Sequence, residues 1–131
     1  MARPRFYYKG KRVSKGEREI ARYLESLGIE FVREKKFDGL VGRSNRPLRF
    51  DFYIESINVI IEYDGEHHFK PVNKGWKAKY AYERTAINDK IKDEFIKDRG
   101  IGILRIPYYE FDKIKSIIND MLSNFNIITE V

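Results

Sequence analysis

The sequence predicts a single α/β domain in which a central mixed β-sheet is flanked by helices. The chain has 131 residues, of which 42% are hydrophobic and 15% aromatic, enough for one sizeable apolar core. Apolar residues with helical spacing alternate along the chain with short strand-like runs, and turn-forming residues separate them. This order is typical of a sheet covered by helices rather than of an all-helical or all-β protein.

The predicted elements follow one another in a simple order. Ser14 and Glu17 form a capping-box signal, and Gly28 ends the first helix. The further expected elements are a strand over 29–37, a loop over 38–47, a hairpin of two strand-like runs over 48–54 and 58–68, a loop over 69–80, a helix over 80–99, a strand over 101–106 and a helix over 111–125. We expect 1–13 to be a basic N-terminal arm, 14–126 a single domain and 127–131 a short tail.

Composition excludes several classes of protein. The chain has no cysteine, so it has neither a disulfide nor a cysteine-bound zinc site, as fits a reducing compartment. The start lacks the apolar segment of a signal peptide, and no apolar run approaches membrane-spanning length. We therefore expect a cytoplasmic protein that does not enter a membrane.

Acidic residues interrupt both strands of the predicted hairpin. Asp51 lies inside the run 48–54, and Glu62 lies inside the run 58–68. Buried carboxylates are costly unless a cation compensates them, and Mg²⁺ binds few protein carboxylates while keeping positions for water and phosphate. This pattern favours metal-dependent phosphodiester hydrolysis. The plainer alternative is that Asp51 pairs with Arg49 or Arg105 and that Glu62 is an exposed strand charge.

Positive charge is concentrated at the N-terminus. Six of the 26 basic residues lie within 1–16, which contain no acid, and the remainder has 20 basic and 20 acidic residues, so the net charge of +6 belongs to this segment. Basic segments with interleaved aromatic rings suit nucleic-acid backbones, although a solvated terminus is the alternative. The candidate DNA-binding residues, from this arm and the two predicted loops, are Arg3, Arg5, Lys9, Lys11, Arg12, Arg43, Arg46, Lys74, Trp76, Lys77 and Lys79.

Motifs over roughly 14–106 resemble those of PD-(D/E)XK nucleases, in the branch that contains the very-short-patch-repair endonuclease and related phage-type homing endonucleases. The matching residues are Glu17, Ile20 and Leu24 in the first helix, Asp51 and Phe52 in one strand, Glu62, Asp64, Gly65 and His68 in and after the next, and Asp89, Lys92, Ile96, Gly100, Leu104 and Arg105 further on. The resemblance implies a restriction-endonuclease-like core.

The resemblance also implies roles for these residues. Asp51 and Glu62 are expected to bind Mg²⁺, with Mn²⁺ able to substitute, and Glu17 to support them. Asp64 is expected either to hold a second metal ion or to orient His68, the preferred acid or base. Asp89 is also expected to orient His68, while Lys92 and Arg105 stabilise charge on the phosphate. Many relatives have lysine where this chain has Asp64, so Lys92 is a second candidate for activating water. Without cysteine, the zinc site and mismatch-wedging function of the repair enzyme are not expected.

The sequence therefore predicts a Mg²⁺-dependent endonuclease whose partner is double-stranded DNA, with no nucleotide cofactor. A homing-type or repair-type enzyme that nicks or cleaves DNA fits this description. Two alternatives stay open: a non-catalytic nucleic-acid-binding module of the same fold, and a structure-specific or RNA nuclease, since phosphate contacts carry no sequence information. The oligomeric state is open as well.

Overall fold

A computed structural model describes residues 4–71 and 75–125, apart from the side chain of His67. Arg3, Lys74 and the predicted tail over 127–131 lie outside the described residues. The strands are β1 (Phe6–Tyr8), β2 (Lys11–Val13), β3 (Val32–Val41), β4 (Pro47–Ile54), β5 (Val59–Asp64) and β6 (Gly102–Pro107). The helices are α1 (Lys15–Ser26), α2 (Trp76–Asp98) and α3 (Ile114–Ser123), and single-turn or short 3₁₀ segments span Glu55–Ile57, Glu66–His68 and Tyr108–Lys113.

A four-stranded mixed sheet forms the centre of the domain, as the sequence predicted. Its order is β3-β4-β5-β6, in which β3, β4 and β5 pair antiparallel while β5 and β6 pair parallel. Helix α2 connects the two parallel strands, as a crossover must. One apolar cluster packs α1 and α3 against the sheet, and a second contains Ile96 of α2. Helices therefore cover both faces.

The local signals near α1 and the β4–β5 hairpin are confirmed. The Ser14 hydroxyl accepts a hydrogen bond from the Glu17 N–H at 3.1 Å, and the Glu17 carboxylate accepts one from the Ser14 N–H at 3.3 Å. The turn over Glu55–Ile57 ends at Asn58, whose φ of 54° is left-handed, and β4 and β5 pair antiparallel beyond it. The capping box and the hairpin are thus properties of short sequence segments.

The predicted basic N-terminal arm contains a β-hairpin that the sequence pattern did not predict. Strands β1 and β2 form a hairpin around Lys9 and Gly10, which both have positive φ. The Tyr8 ring is buried in the apolar cluster of α1, and its hydroxyl donates a hydrogen bond to Glu25. A core residue thus precedes the predicted domain start at residue 14, because Tyr8 joins the core through packing that the strand period does not reveal.

Several predicted boundaries shift. Strand β3 runs to Val41, so the loop before β4 spans only 42–46. Helix α2 begins at Trp76 rather than near 80, so Trp76, Lys77 and Lys79 lie in the first turn of a helix and not in a loop. No side chain caps this helix start, so the sequence carries no strong signal for it.

Candidate functional site

The backbone pairing of β4 and β5 stops at Asp51 and Glu62. The last paired residues are Phe52 and Ile61, after which the two carboxylates bind across the gap. The Asp51 N–H donates to Oε2 of Glu62 at 2.8 Å, and the Tyr63 N–H donates to Oδ2 of Asp51 at 2.8 Å. The side chains thereby satisfy backbone groups that a regular ladder would pair, and the opening holds two carboxylates.

Strand β4 changes the face that it presents at this opening. Phe50 and Phe52 are two residues apart and fully buried, yet they belong to different apolar clusters on opposite faces of the sheet. In a regular strand, residues two apart share one face. Asp51 therefore lies at a local irregularity of the strand.

Glu62 forms a buried ion pair with Lys92 of α2. The Glu62 side chain is 3% exposed, and Nζ of Lys92 lies 2.8 Å from its Oε1. The alternative of an exposed strand charge is therefore wrong for Glu62. Lys92 lies 30 residues from Glu62 in the sequence, and its positive charge compensates the buried carboxylate.

Asp51 lacks such compensation. Among the described residues no basic side chain lies within ion-pair distance of it: Arg49 approaches Glu34, and Arg105 pairs with other acids. Burial raises the pKa of Asp51 well above its usual value, and the negative charges of Glu62 and Glu17 raise it further, against the opposing Tyr63 N–H. The site thus has an excess of negative charge centred on Asp51.

Glu17 reaches this region from the N-terminal turn of α1. Its Oε2 lies 3.1 Å from Nη2 of Arg33 on β3, a partner that the sequence motifs did not identify. Gly16 is required beside it, because a Cβ there would lie 2.1 Å from the Tyr63 ring. Arg33 is paired with Phe52, the residue after Asp51, in the β3–β4 register. The contact between Arg33 and Glu17 therefore becomes visible only once the strand pairing is known.

A second charged cluster lies beyond the end of β5. Nδ1 of His68 is 2.8 Å from Oδ2 of Asp89 and 3.7 Å from Oδ1 of Asp64. Arg105 lies 3.1 Å from Asp64, 3.8 Å from Asp89 and 2.8 Å from Asp93. The structure therefore brings four predicted residues together and adds Asp93, which the sequence motif did not include.

The protonation equilibria of this cluster depend on both burial and partners. Burial lowers the pKa of His68, but the hydrogen bond to Asp89 and the charges of Asp89 and Asp64 outweigh it, so the pKa is raised overall. For Asp89, burial is outweighed by His68, Arg105 and Lys92, and the pKa is lowered. For Asp64, burial prevails over Arg105 and His68, and the pKa is raised. The arrangement favours a charged imidazole held by Asp89.

The candidate DNA-binding residues fall on separate surfaces. Arg5, Lys9, Lys11 and Arg12 belong to the N-terminal hairpin, where Lys9 and Lys11 approach Glu25 and Glu34 at 3.9 and 3.6 Å.

Arg43 and Arg46 lie in the turn before β4, and Arg43 lines a cleft of about 370 Å³ with Tyr80, Arg84 and Asn88 of α2. Trp76, at the start of that helix, is 74% exposed. The turn and the N-terminal half of α2 therefore line one cleft.

The donor groups fit a hard cation only in part. Within the described part of the chain, no three or more His, Asp or Glu side chains are arranged to hold a metal ion. Asp51 and Glu62 nevertheless each supply a carboxylate, and the charge of the Asp51 carboxylate is not compensated by a basic side chain among the described residues. Mg²⁺ commonly binds through one or two carboxylates and completes its shell with water and phosphate, so these residues suit it.

Comparison with known proteins finds a distant similarity to a viral protein. No family model matches the chain, and no solved structure matches it. The chain is 23% identical over 129 residues to the uncharacterized protein 307L of Invertebrate iridescent virus 6. The match includes 79% of this chain, which spans 64% of the viral protein's length. In the described ranges, no helix combines the length and apolar character needed to cross a membrane.

Proposed function

We propose that the chain is a metal-dependent endonuclease that hydrolyses phosphodiester bonds of DNA. The single observation that carries the proposal is the pair of linked carboxylates, Asp51 and Glu62, at the opening between β4 and β5. Asp51 carries a raised pKa, without a basic partner among the described residues. A divalent cation is the natural partner of such a group.

The strand order is consistent with a restriction-endonuclease-like core. A helix precedes three antiparallel strands, and a second helix leads to a fourth strand parallel to the third. The carboxylates lie in the second and third strands of this sheet, which supports the proposal. The fold alone permits many functions, so the proposal depends on the site.

Asp51 and Glu62 would hold Mg²⁺, or Mn²⁺ in its place. When bound, the cation would polarise the phosphate and lower the pKa of a bound water. Lys92 already compensates Glu62 at 2.8 Å and supplies positive charge for the developing negative charge on phosphate. Glu17, held by Arg33, adds a third carboxylate near Asp51.

His68 is the proposed proton-transfer group. Its imidazole is held by Asp89 at 2.8 Å, which fixes the ring and favours its charged form. Arg105 links Asp64, Asp89 and Asp93 and so keeps the acids around the histidine in place. A raised pKa suits a group that donates a proton to the leaving oxygen.

Duplex DNA would contact the basic hairpin, the turn with Arg43 and Arg46, and the first turn of α2. These surfaces carry Arg5, Arg12, Trp76, Lys77 and Lys79. Lysine and arginine side chains neutralise phosphates without reading sequence. Affinity from such contacts falls steeply with salt.

The test is incubation of supercoiled plasmid with the purified chain in Mg²⁺, in Mn²⁺ and in excess chelator. We expect nicked or linear product with either metal and none with chelator. Undiminished cleavage in chelator would exclude the metal mechanism. Parallel incubation with duplex RNA distinguishes a DNA enzyme from an RNA nuclease.

A non-catalytic nucleic-acid-binding module is the second candidate. The observation that favours it is that three donors are not assembled within the described residues, while Glu62, Asp64 and Asp89 already pair with basic groups. Such a module would bind DNA in calcium or magnesium alike and leave plasmid intact. Metal binding that requires Asp51 would argue against it.

A further inference from the structure

We propose that the aromatic rings of Phe69, Tyr108 and Tyr109 form a platform that stacks unpaired bases of DNA next to the candidate site. The inference rests on the proposed function and specifies its substrate class: duplexes that carry an unpaired or branched strand. We call these three residues the ring platform.

The ring platform is one continuous group of side chains. The ring centroids are 5.9 Å apart for Phe69 and Tyr108, 5.6 Å for Phe69 and Tyr109, and 5.5 Å for Tyr108 and Tyr109. The planes meet at 54°, 65° and 87°, so no ring is stacked flat on another. Phe69 is 44% exposed and Tyr109 67% exposed. Large rings exposed together in this way are typical of binding surfaces.

The platform adjoins the charged cluster through the backbone. Phe69 directly follows His68, and adjacent Cα atoms are about 3.8 Å apart. Tyr108 directly follows Pro107, the register partner of Asp64 at the end of β6. The Tyr63 hydroxyl also donates to the Tyr108 carbonyl at 3.4 Å. The platform thus follows the charged cluster directly along the chain, and the proposal places the next bases of a strand whose phosphate reaches His68 beside these rings.

Two lysines near the platform can contact the phosphates of a nucleic-acid strand, and the acids Glu66, Glu110 and Asp112 lie close to the same rings in the sequence. Lys70 follows Phe69 and lies 3.2 Å from Glu66, an exposed pair in which a DNA phosphate can replace the carboxylate. Nζ of Lys15 lies 3.8 Å from the ring centre of Phe111, two residues beyond Tyr109. Exposed rings with lysines nearby are a combination that binds single strands, with bases on the rings and phosphates on the lysines.

Paired bases cannot use such a platform, because both of their faces are covered within the duplex. Unpaired bases at a flap, branch or open end have free faces and stack on aromatic rings whatever their sequence. The platform therefore predicts a preference for DNA structure and not for a base sequence. Cleavage would fall near the junction between paired and unpaired strands.

The experiment measures binding of two oligonucleotides that share one strand containing 2-aminopurine, whose fluorescence falls on stacking. In one, the 2-aminopurine lies in a short unpaired flap; in the other it is fully paired. Titrations use the full chain in calcium. The variants are Tyr109→Ala, Phe69→Ala and the ring-retaining Tyr109→Phe. Phe125→Ala is the matched control, because this exposed ring lines a cleft with Gly102, at the opposite end of β6.

We expect the flap substrate to bind more tightly and its fluorescence to fall. Tyr109→Ala should weaken flap binding by about 5- to 150-fold, the range expected when one base no longer stacks, and leave duplex binding unchanged. Tyr109→Phe and Phe125→Ala should behave as the wild type. Equal affinity for both substrates, or an unchanged preference in Tyr109→Ala, would overturn the platform.

The same proteins in Mg²⁺ separate this inference from the proposed nuclease activity. Flap preference without cleavage would retain the platform and reject the nuclease. Cleavage without flap preference would retain the nuclease and reject the platform. Thermal unfolding of Tyr109→Ala and Phe69→Ala, expected to match the wild type because both rings are partly exposed, verifies that the variants fold.

Discussion

The backbone N–H of Asp51 donates a 2.8 Å hydrogen bond to Oε2 of Glu62 at the point where β4 and β5 cease to pair. The two acids are thus joined through the backbone of one and the side chain of the other. This link holds two negative groups close together in a mostly buried position, and of these two acids only Glu62 pairs with Lys92. The proposed function depends on the uncompensated charge of Asp51.

Asp51→Asn should stabilise the protein while removing activity. The pKa of Asp51 is raised on folding, so its ionisation costs stability, which declines as pH rises from about 3.9, the unfolded value, through the folded value. Asparagine removes that cost and can still accept the Tyr63 N–H. The melting temperature of the variant should exceed that of the wild type at pH 7, with the difference shrinking near pH 4. A destabilised variant at pH 7 would contradict this.

Added Mg²⁺ provides the complementary stability measurement. A ligand that binds the folded state raises its stability by mass action. Mg²⁺ should raise the melting temperature of the wild type at pH 7 and leave that of Asp51→Asn unchanged. Equal shifts in both proteins would place metal binding elsewhere.

Lys92→Met should be strongly destabilising because it leaves the buried Glu62 charge unpaired. Removal of one partner from a buried pair costs about 3–5 kcal/mol. Glu62→Gln combined with Lys92→Met removes both charges and should recover most of that loss, yet remain inactive. Urea unfolding of both variants measures the two free energies. A double variant less stable than Lys92→Met would show that Lys92 does not compensate a buried charge on Glu62.

His68→Ala should reduce the cleavage rate by about 10²- to 10⁴-fold, because proton transfer would lose its positioned imidazole. His67→Ala is the matched neighbour and should lose far less. Plasmid cleavage rates of the two variants in Mg²⁺ make the comparison. A reversed ranking would assign proton transfer to the other histidine.

The pH dependence of the stability of Asp89→Asn tests whether Asp89 holds the His68 imidazole. The raised pKa of His68 means that its pairing contributes fully below about 6.5, the unfolded value, and is lost as pH rises through the folded value. Because the pKa of Asp89 is lowered on folding, its carboxylate contributes fully to the stability of the protein only above about pH 3.9, the unfolded value. The free-energy difference between wild type and Asp89→Asn should therefore be largest between these limits. NMR titration of His68 should show a lower pKa in the variant.

Changes to the basic residues of the N-terminal hairpin should weaken DNA binding without unfolding the protein. Substituting Arg5, Lys9, Lys11 and Arg12 with glutamine should weaken DNA binding and reduce the log–log salt slope by about 0.9 for each phosphate that the protein no longer neutralises. The fold should survive, because Tyr8 remains buried. Deletion of residues before Val13 should instead cost stability, on the order of 3 kcal/mol from removal of the buried ring. An unchanged salt slope in the glutamine variant would remove the hairpin from the interface.

Local sequence signals predicted the elements that position the carboxylates. The capping box at Ser14 and Glu17 starts α1, and the short turn after Ile54 reverses the chain into β5. Such features act within a few residues, so the placement of Asp51 and Glu62 on paired strands follows from sequence alone.

The partners of those carboxylates depend on tertiary contacts. Lys92 reaches Glu62 over 30 residues, and Arg33 reaches Glu17 through the β3–β4 pairing. The start of α2 has no capping side chain, and the burial of Tyr8 depends on packing of the hairpin against α1. The ring platform likewise assembles from segments about 40 residues apart, after β5 and after β6.

The most direct measurement of the proposed metal-dependent cleavage is the rate at which wild type and Asp51→Asn, purified in parallel, cleave supercoiled plasmid in Mg²⁺. Parallel preparation controls for contaminating nucleases, and thermal unfolding verifies the fold of the variant. We expect the wild type to convert the plasmid to nicked or linear forms and Asp51→Asn to be slower by at least about 10²-fold. Equal rates, or no cleavage by the wild type, would contradict the assignment of Asp51 to a nuclease site.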